Sequence, residues 1–147
     1  MGGTMRLWTR IAFVLAFVPL VASAQFKDLD AAMSNLTRGF GSGDAQAIVA
    51  GMGDSDQVML QFPGLVDQTG YFGRDQAAYL LDGLFNKVKP GGFEQTNARK
   101  VSSEGQYHIT ANWTIQRGGK AESRELYITL RNKGDKWSVV SVRSASK

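Results

Sequence analysis

Two short glycine-containing segments in the C-terminal half constrain the fold of this chain more than any other feature. Arg117-Gly118-Gly119-Lys120 and Asn132-Lys133-Gly134-Asp135 have the composition of two-residue β-hairpin turns. Such turns need positive φ angles, which glycine adopts at little steric cost. The segments between them alternate apolar and polar residues. The pattern predicts a four-strand antiparallel meander with strands at 93–101, 107–116, 121–131 and 137–144.

The turns also predict which side chains lie opposite each other. With Gly118-Gly119 and Lys133-Gly134 as the central turn residues, Trp113 lies opposite Arg124, and Arg124 lies opposite Arg143. Directly opposed residues share one face of an antiparallel sheet, where like charges are destabilising. The pattern therefore predicts two arginines that need a compensating negative group.

The first hairpin of the meander extends this row of polar residues. A three-residue loop that ends at Gly105 predicts that Gln95 lies beside Trp113 and that Asn97 lies beside Ala111. The face that carries this row is otherwise apolar. A polar row on an apolar face is the arrangement expected for the floor of a binding pocket.

We hypothesise that the row binds a small anionic or aromatic ligand. Arg124 and Arg143 would bind an anion, because guanidinium groups pair with carboxylates in a bidentate manner. Trp113 would stack on the ligand, and Gln95 and Asn97 would orient it. No cofactor is expected.

A second interpretation needs no ligand. Buried charges are usually paired within the protein, so an internal acid could neutralise Arg124 and Arg143. Glu122 lies on the same predicted face, and Asp82 and Asp30 lie on predicted helices that could reach it.

The first 24 residues have the features of a cleaved signal peptide. Arg6 and Arg10 precede an apolar run at 11–21, and Ala22-Ser23-Ala24 forms a small-residue cleavage pattern before Gln25. The run is too short for a membrane-spanning helix. We expect residues 1–24 to be removed, the mature chain to be periplasmic or extracellular, and no membrane insertion after cleavage.

Composition excludes several classes of function. The chain has no cysteine and a single histidine, His108, on the polar strand face, so neither disulfides nor a metal site are expected. Without Arg6 and Arg10, 15 basic residues oppose 13 acidic ones. The basic residues are scattered rather than clustered, which argues against nucleic-acid binding.

The segment before the meander is mainly helical. Residues 28–40 have apolar side chains at helical spacing, Asp44 suits the N-cap of a second short helix, and a third helix follows Gly73 and ends before Pro90. A strand is predicted around 58–62. Helices packed on a strongly bent antiparallel sheet form an α+β fold, and residues 25–147 are expected to form one domain.

The order of several short motifs resembles the nuclear transport factor 2-like superfamily, and within it a small secreted bacterial family of unknown function. These motifs are Gln76-Ala77, Leu84-Phe85, Pro90 with Phe93, Tyr107-His108-Ile109-Thr110, Arg124 and Val142-Arg143. The resemblance covers residues 28–145. It implies the cone-shaped fold of ketosteroid isomerase and scytalone dehydratase, with a concave pocket between helices and sheet. It implies no activity.

Three functions remain open at this point. The first is non-catalytic binding of a small ligand or a partner in the sheet-lined pocket. The second is a small-molecule isomerase or lyase, which would need a carboxylate or histidine inside the cavity. The third is homodimerisation or partner binding through the polar, threonine-rich outer face of the sheet.

Overall fold

A computed structural model describes residues 24–101, 105–134 and 136–145 of the chain. In chain order the elements are α1 (Ala24–Ser42), α2 (Ala45–Val49), β1 (Gln57–Gln61), β2 (Gly70–Gly73), α3 (Arg74–Lys87), β3 (Lys89–Val101), β4 (Gln106–Arg117), β5 (Lys120–Lys133) and β6 (Lys136–Ser144). The helices cover one face of a single sheet, which confirms the predicted α+β architecture.

The six strands form a mixed sheet in the order β2-β1-β6-β5-β4-β3, and the sheet does not close into a barrel. Strands β3 to β6 form the predicted meander. The sequence predicted an antiparallel sheet, but strand β1 pairs with β6 in a parallel orientation. Parallel pairing requires a long connection between the two strands, and here α3 and the rest of the meander provide it.

The helix predictions are confirmed. The Asp44 side chain caps α2 by accepting a hydrogen bond from the backbone N–H of Ala47 at 3.2 Å. This bond satisfies a donor that the first turn of a helix leaves free. The buried residues of α3 recur at helical spacing, which orients one side of that helix towards the sheet.

The register of β4 and β5 agrees with the turn-based prediction. Arg117 pairs with Lys120 around Gly118 and Gly119, whose φ angles are 62° and 80°. Trp113 consequently lies opposite Arg124. Because the turn sets the register of a two-residue hairpin, the glycine pair was sufficient to predict this half of the sheet.

A continuous apolar core fills the space between the helices and the sheet. Its largest fully buried side chains include Trp113, Phe40 and Phe62, all near the Gly118-Gly119 turn. Among the described residues, no helix is long and apolar enough to cross a membrane. The predicted signal peptide lies outside the described residues, apart from Ala24 at the start of α1.

Candidate functional site

The structure does not bring the predicted polar row together. Arg143 lies opposite Tyr127, not opposite Arg124, and its side chain is exposed on the other face of the sheet. The prediction that the two arginines share a face is therefore wrong. Lys133 pairs with Lys136, which shifts the turn by one residue, and a bulge follows between Thr129 and Leu130.

The bulge has a clear physical reason. Without it, Ser141 and Arg143 would face the core while Val140 and Val142 faced outwards. With it, Val142 is fully buried and Arg143 reaches solvent. A shift of one residue exchanges the two faces of a strand, so the burial of Val142 determines the register here.

Gln95 and Asn97 also lie elsewhere than predicted. Gln95 pairs with Ala111 and Asn97 with Thr110, and Phe93 takes the position opposite Trp113. Both polar side chains are exposed on β3, the last strand of the sheet. Val101 pairs with Gln106 rather than with the predicted Tyr107, which moves the partner of Asn97 by one residue. The bulge between Gln95 and Asn97 then moves the partner of Gln95 by one more.

Trp113 is part of the core and presents no surface for a ligand. It has no solvent exposure, and its indole N–H donates a hydrogen bond of 2.8 Å to the backbone carbonyl of Phe40. The rings of Phe40, Phe62 and Phe85 surround it at centroid distances of 5.6, 6.2 and 6.2 Å. This aromatic cluster fills the part of the concave face that the sequence suggested as a pocket.

Arg124 has partners within the protein. Its side chain is 4 % exposed, and its Nε lies 3.3 Å from Oε2 of Glu122. One terminal nitrogen donates a 2.6 Å hydrogen bond to the carbonyl oxygen of Pro63. Arg117 also lies 3.4 Å from Glu122. The structure thus agrees with internal neutralisation by Glu122, the second interpretation of the sequence.

An open cleft lies at the opposite end of the sheet, near the β5–β6 turn. It has a volume of about 230 Å³ and lies between α1, α2 and the start of β6. The helical walls consist mainly of small or aliphatic residues, and the sheet wall contributes both apolar and polar groups. The lining residues are Ala31, Ala32, Asn35, Leu36, Ala47, Ile48, Ala50, Gly51, Leu130, Lys136, Trp137, Ser138 and Val139.

Small residues explain why this end of the molecule remains open. Ala31, Ala32 and Ala47 lie where longer side chains would fill the space between the helices and β6. Gly51 allows close packing beneath the cleft, since a Cβ atom there would overlap the carbonyl oxygen of Trp137. Glycine is needed where two backbones approach so closely.

The polar side chains of the cleft are one cation and neutral hydrogen-bonding groups. Lys136 contributes a cation, and Asn35 and Ser138 contribute neutral hydrogen-bonding groups. The Trp137 ring packs edge-on against Tyr107 at 6.3 Å, which holds the indole at the rim. Neither a carboxylate nor a histidine occurs among the described residues that line the cleft.

The candidates for general acid–base chemistry lie far from this cleft or on the surface. Tyr71 and Tyr79 are 70 % and 84 % exposed, and Asp82 is exposed on α3. Glu122 lies at the Trp113 end of the sheet, paired with its arginines. His108 lies opposite Thr129 and bonds the Gln106 side chain at 3.2 Å.

Sequence reasoning missed the polar residues of the cleft, Asn35, Lys136 and Ser138. One signal was present: small residues occur at helical spacing on α1 and again on α2, where larger apolar residues would complete a core. A second signal was Val142, an apolar residue whose burial is incompatible with the predicted register of β6.

Solved structures with this fold come from several bacteria. A DUF4783 family protein from Bacteroides ovatus is 17% identical and has a TM-score of 0.62, with 77% of this chain and 94% of that chain covered. A DUF4783 family protein from Bacteroides uniformis is 15% identical, with a TM-score of 0.63 and 78% and 95% covered.

More distant structures extend the likeness. A hypothetical protein with a ketosteroid isomerase-like fold from Catenulispora acidiphila, in complex with trimethylamine, is 11% identical. Its TM-score is 0.59, with 78% of this chain and 84% of that chain covered. These neighbours confirm the nuclear transport factor 2-like cone fold. No curated protein matches the sequence. Residues 33–144 match the model of the domain of unknown function DUF4783, and the chain therefore belongs to the DUF4783 family.

Proposed function

We propose that this domain is an exported, non-catalytic module that binds a small anionic or aromatic molecule in the cleft between α1, α2 and β6. The observation that most supports this proposal is a cleft of about 230 Å³ with both apolar and polar walls, with Trp137 at its rim and Lys136 beside it. Pockets for drug-sized ligands usually measure roughly 300–1,000 Å³, so a smaller molecule fits this one.

The chemistry of the lining supports a ligand with one apolar and one anionic part. The alanines and aliphatic residues of the helices would contact a ring or short chain, whose transfer from water is favourable. Lys136 would attract a carboxylate, and Asn35 would bond to its oxygens. The Catenulispora acidiphila neighbour is in complex with the small molecule trimethylamine, which supports a small ligand for this chain as well.

Binding without chemistry is favoured over isomerase or lyase activity by what the cleft contains. Proton transfer needs an acid or base within hydrogen-bonding reach of the reacting atom. The described lining offers a lysine, an asparagine and a serine, with no histidine or carboxylate to activate them. The groups suit orientation of a bound anion.

Isothermal titration calorimetry provides a direct test, because it needs no optical signal from the probe. Indole-3-carboxylate and uncharged indole are titrated into residues 25–147. Tighter binding of the carboxylate is expected, and Lys136→Met should abolish its advantage over indole. Lys120→Met, at the opposite hairpin turn, is the matched control.

A second pair of variants tests the location. Ala32→Leu places a larger side chain in the cleft and should eliminate binding. Ser34→Leu adds the same side chain to an exposed position of α1 and should not. Equal binding of the probes by both variants would refute the proposal. So would the absence of any binding of either probe to the wild-type protein, if native mass spectrometry also finds no copurifying small molecule.

A further inference from the structure

The face of the sheet opposite the helices carries a second concave surface, here called the outer groove. It has a volume of about 440 Å³ and crosses five strands, from β1 to β3. One row of paired residues along it consists of Met59, Ser141, Thr129, His108 and Arg99. This row begins with a thioether and ends with a guanidinium.

The neighbouring row runs through Arg143, Tyr127, Thr110 and Asn97. Arg143 and Asn97, two residues that the sequence suggested for ligand binding, therefore do lie in one groove, although on the opposite face from the one predicted. The groove is more polar than apolar, and hydroxyl and amide groups form most of its floor between the two arginines.

Arg99 and Arg143 form no ion pair with any carboxylate among the described residues. By contrast, Arg117 on β4 and Arg124 on β5 each form an ion pair with Glu122. The guanidinium groups of Arg99 and Arg143 therefore create a local positive potential in the outer groove, which an acidic partner could neutralise.

Two acids of the chain lie in the next row of the same face, because Asn112 pairs with Glu125 on β5 and with Glu94 on β3. The Tyr127 hydroxyl donates a short hydrogen bond to Glu125, and this bond is the main reason that the pKa of Tyr127 is raised above its usual value of 10.0. Arg143 is close enough to Tyr127 to act on that pKa in the opposite direction. Glu125 therefore offsets part of the positive charge at one end of the groove.

The separation of the two arginines indicates the length of the partner. Three strand spacings separate β3 from β6, or about 14 Å, and the two rows are about 7 Å apart along the strands, so the two backbone positions lie about 16 Å apart. An extended chain rises about 3.3 Å per residue, so side chains two, four or six residues apart on one side of it are separated by about 7, 13 or 20 Å, and the separation of four comes nearest. Ser141, Thr129 and Thr110 can bond to its backbone.

The charge of the lining favours an acidic occupant over a second copy of the domain. Two grooves facing each other would bring four guanidinium groups together, and no carboxylate occurs among the described residues that line the groove. From these observations we infer that the outer groove binds an extended acidic peptide segment that lies across the strands, with carboxylates on Arg99 and Arg143. This site is separate from the cleft and does not depend on it.

Peptides with two glutamates test the inference. A series in a serine-rich background places the glutamates two, four or six residues apart, with glutamine versions as controls, and binding is measured by fluorescence anisotropy. The peptide with a separation of four should bind best. Arg99→Gln and Arg143→Gln should each weaken it about tenfold, the effect of losing one charged contact.

Two further variants sharpen the result. Glu125→Gln removes an acid that offsets part of the positive charge of the groove, and it should strengthen binding of the peptide. The gain would not occur if Glu125 had only a structural role. Lys89→Gln removes an exposed cation outside the groove and should change nothing. Ala32→Leu, which fills the cleft, should leave peptide binding intact, so failure at one site is distinguishable from failure at the other.

Three outcomes would overturn the inference. One is equal binding of the glutamate and glutamine peptides. Another is binding within twofold of wild type for both Arg99→Gln and Arg143→Gln. The third is self-association in sedimentation experiments that Arg143→Gln abolishes, which would identify a second copy of the chain as the occupant.

Discussion

The space between the helices and the sheet is filled at one end of the sheet and left open at the other. At the Trp113 end, around the Gly118-Gly119 turn, large aromatic rings fill the space beneath the helices and bury an arginine with its counter-charge. At the Trp137 end, around the β5–β6 turn, alanines and a glycine leave a cleft open. The comparison teaches that residue size along the helices, rather than the fold itself, decides where a pocket forms.

The ion pairs at the two ends of the sheet differ in how deeply they are buried. Arg124 and Glu122 have side chains 4 % and 11 % exposed and lie 3.3 Å apart. At the other end, Lys133 and Asp56 lie only 2.7 Å apart, with the lysine 57 % exposed. Because water screens exposed charges, the shorter pair is expected to matter less for stability.

The largest expected effect comes from emptying the aromatic cluster. Trp113→Ala should lower the free energy of unfolding by about 3–5 kcal/mol, since it removes a fully buried ring and leaves a cavity. Trp137→Ala, at the half-buried rim of the cleft, should cost less than about 2 kcal/mol. Urea unfolding measures both, and equal losses would contradict the division into a filled and an open end.

The second effect concerns the buried arginine. Arg124→Met should cost about 2–3 kcal/mol, because it leaves the carbonyl of Pro63 unbonded and Glu122 with less compensation in a mostly buried place. Adding Glu122→Gln should recover part of this loss. Unchanged stability of Arg124→Met would show that the pair does not hold this end together.

The smallest effect is expected at the exposed pair. The hydrogen bond from Lys133 is the main cause that lowers the pKa of Asp56 below 3.8. A lowered pKa contributes stability above pH 3.8, and that contribution is lost as the pH falls through the folded-state value. Lys133→Met should therefore cost about 0.5–1 kcal/mol at pH 7 and less as the pH falls towards 2.

Urea unfolding of wild type and Lys133→Met at both pH values measures this difference, with Lys120→Met as the control for removing an exposed lysine. A cost that persists unchanged at pH 2 would assign the effect to packing of the lysine side chain rather than to its charge.

Only the β4–β5 hairpin was predicted in register. The glycine pair at 118–119 specified that register, so the position of Trp113 opposite Arg124 was predicted correctly. The β3–β4 and β5–β6 registers were wrong, because in each pair the hairpin is offset from the predicted one and a bulge then adds one residue. In β6 the bulge is what changes the face of the later residues. That single residue moved Arg143 from the proposed pocket to the outer groove.

The candidate site was likewise predicted only in part. Neutralisation of Arg124 by Glu122 was foreseen, since two residues on one strand face stay neighbours whatever the partner strand does. The cleft was not foreseen, since its walls come from three elements far apart in sequence. The leader and the export that it implies remain predictions.

By itself the sequence determined the local geometry: helices from apolar spacing, a cap from Asp44, a hairpin from two glycines and the α+β architecture from the order of these elements. These features depend on interactions among neighbouring residues. Only the tertiary structure decided which apolar space was filled and which arginines were paired. Those outcomes depend on the volumes and distances of groups that the chain brings together only on folding.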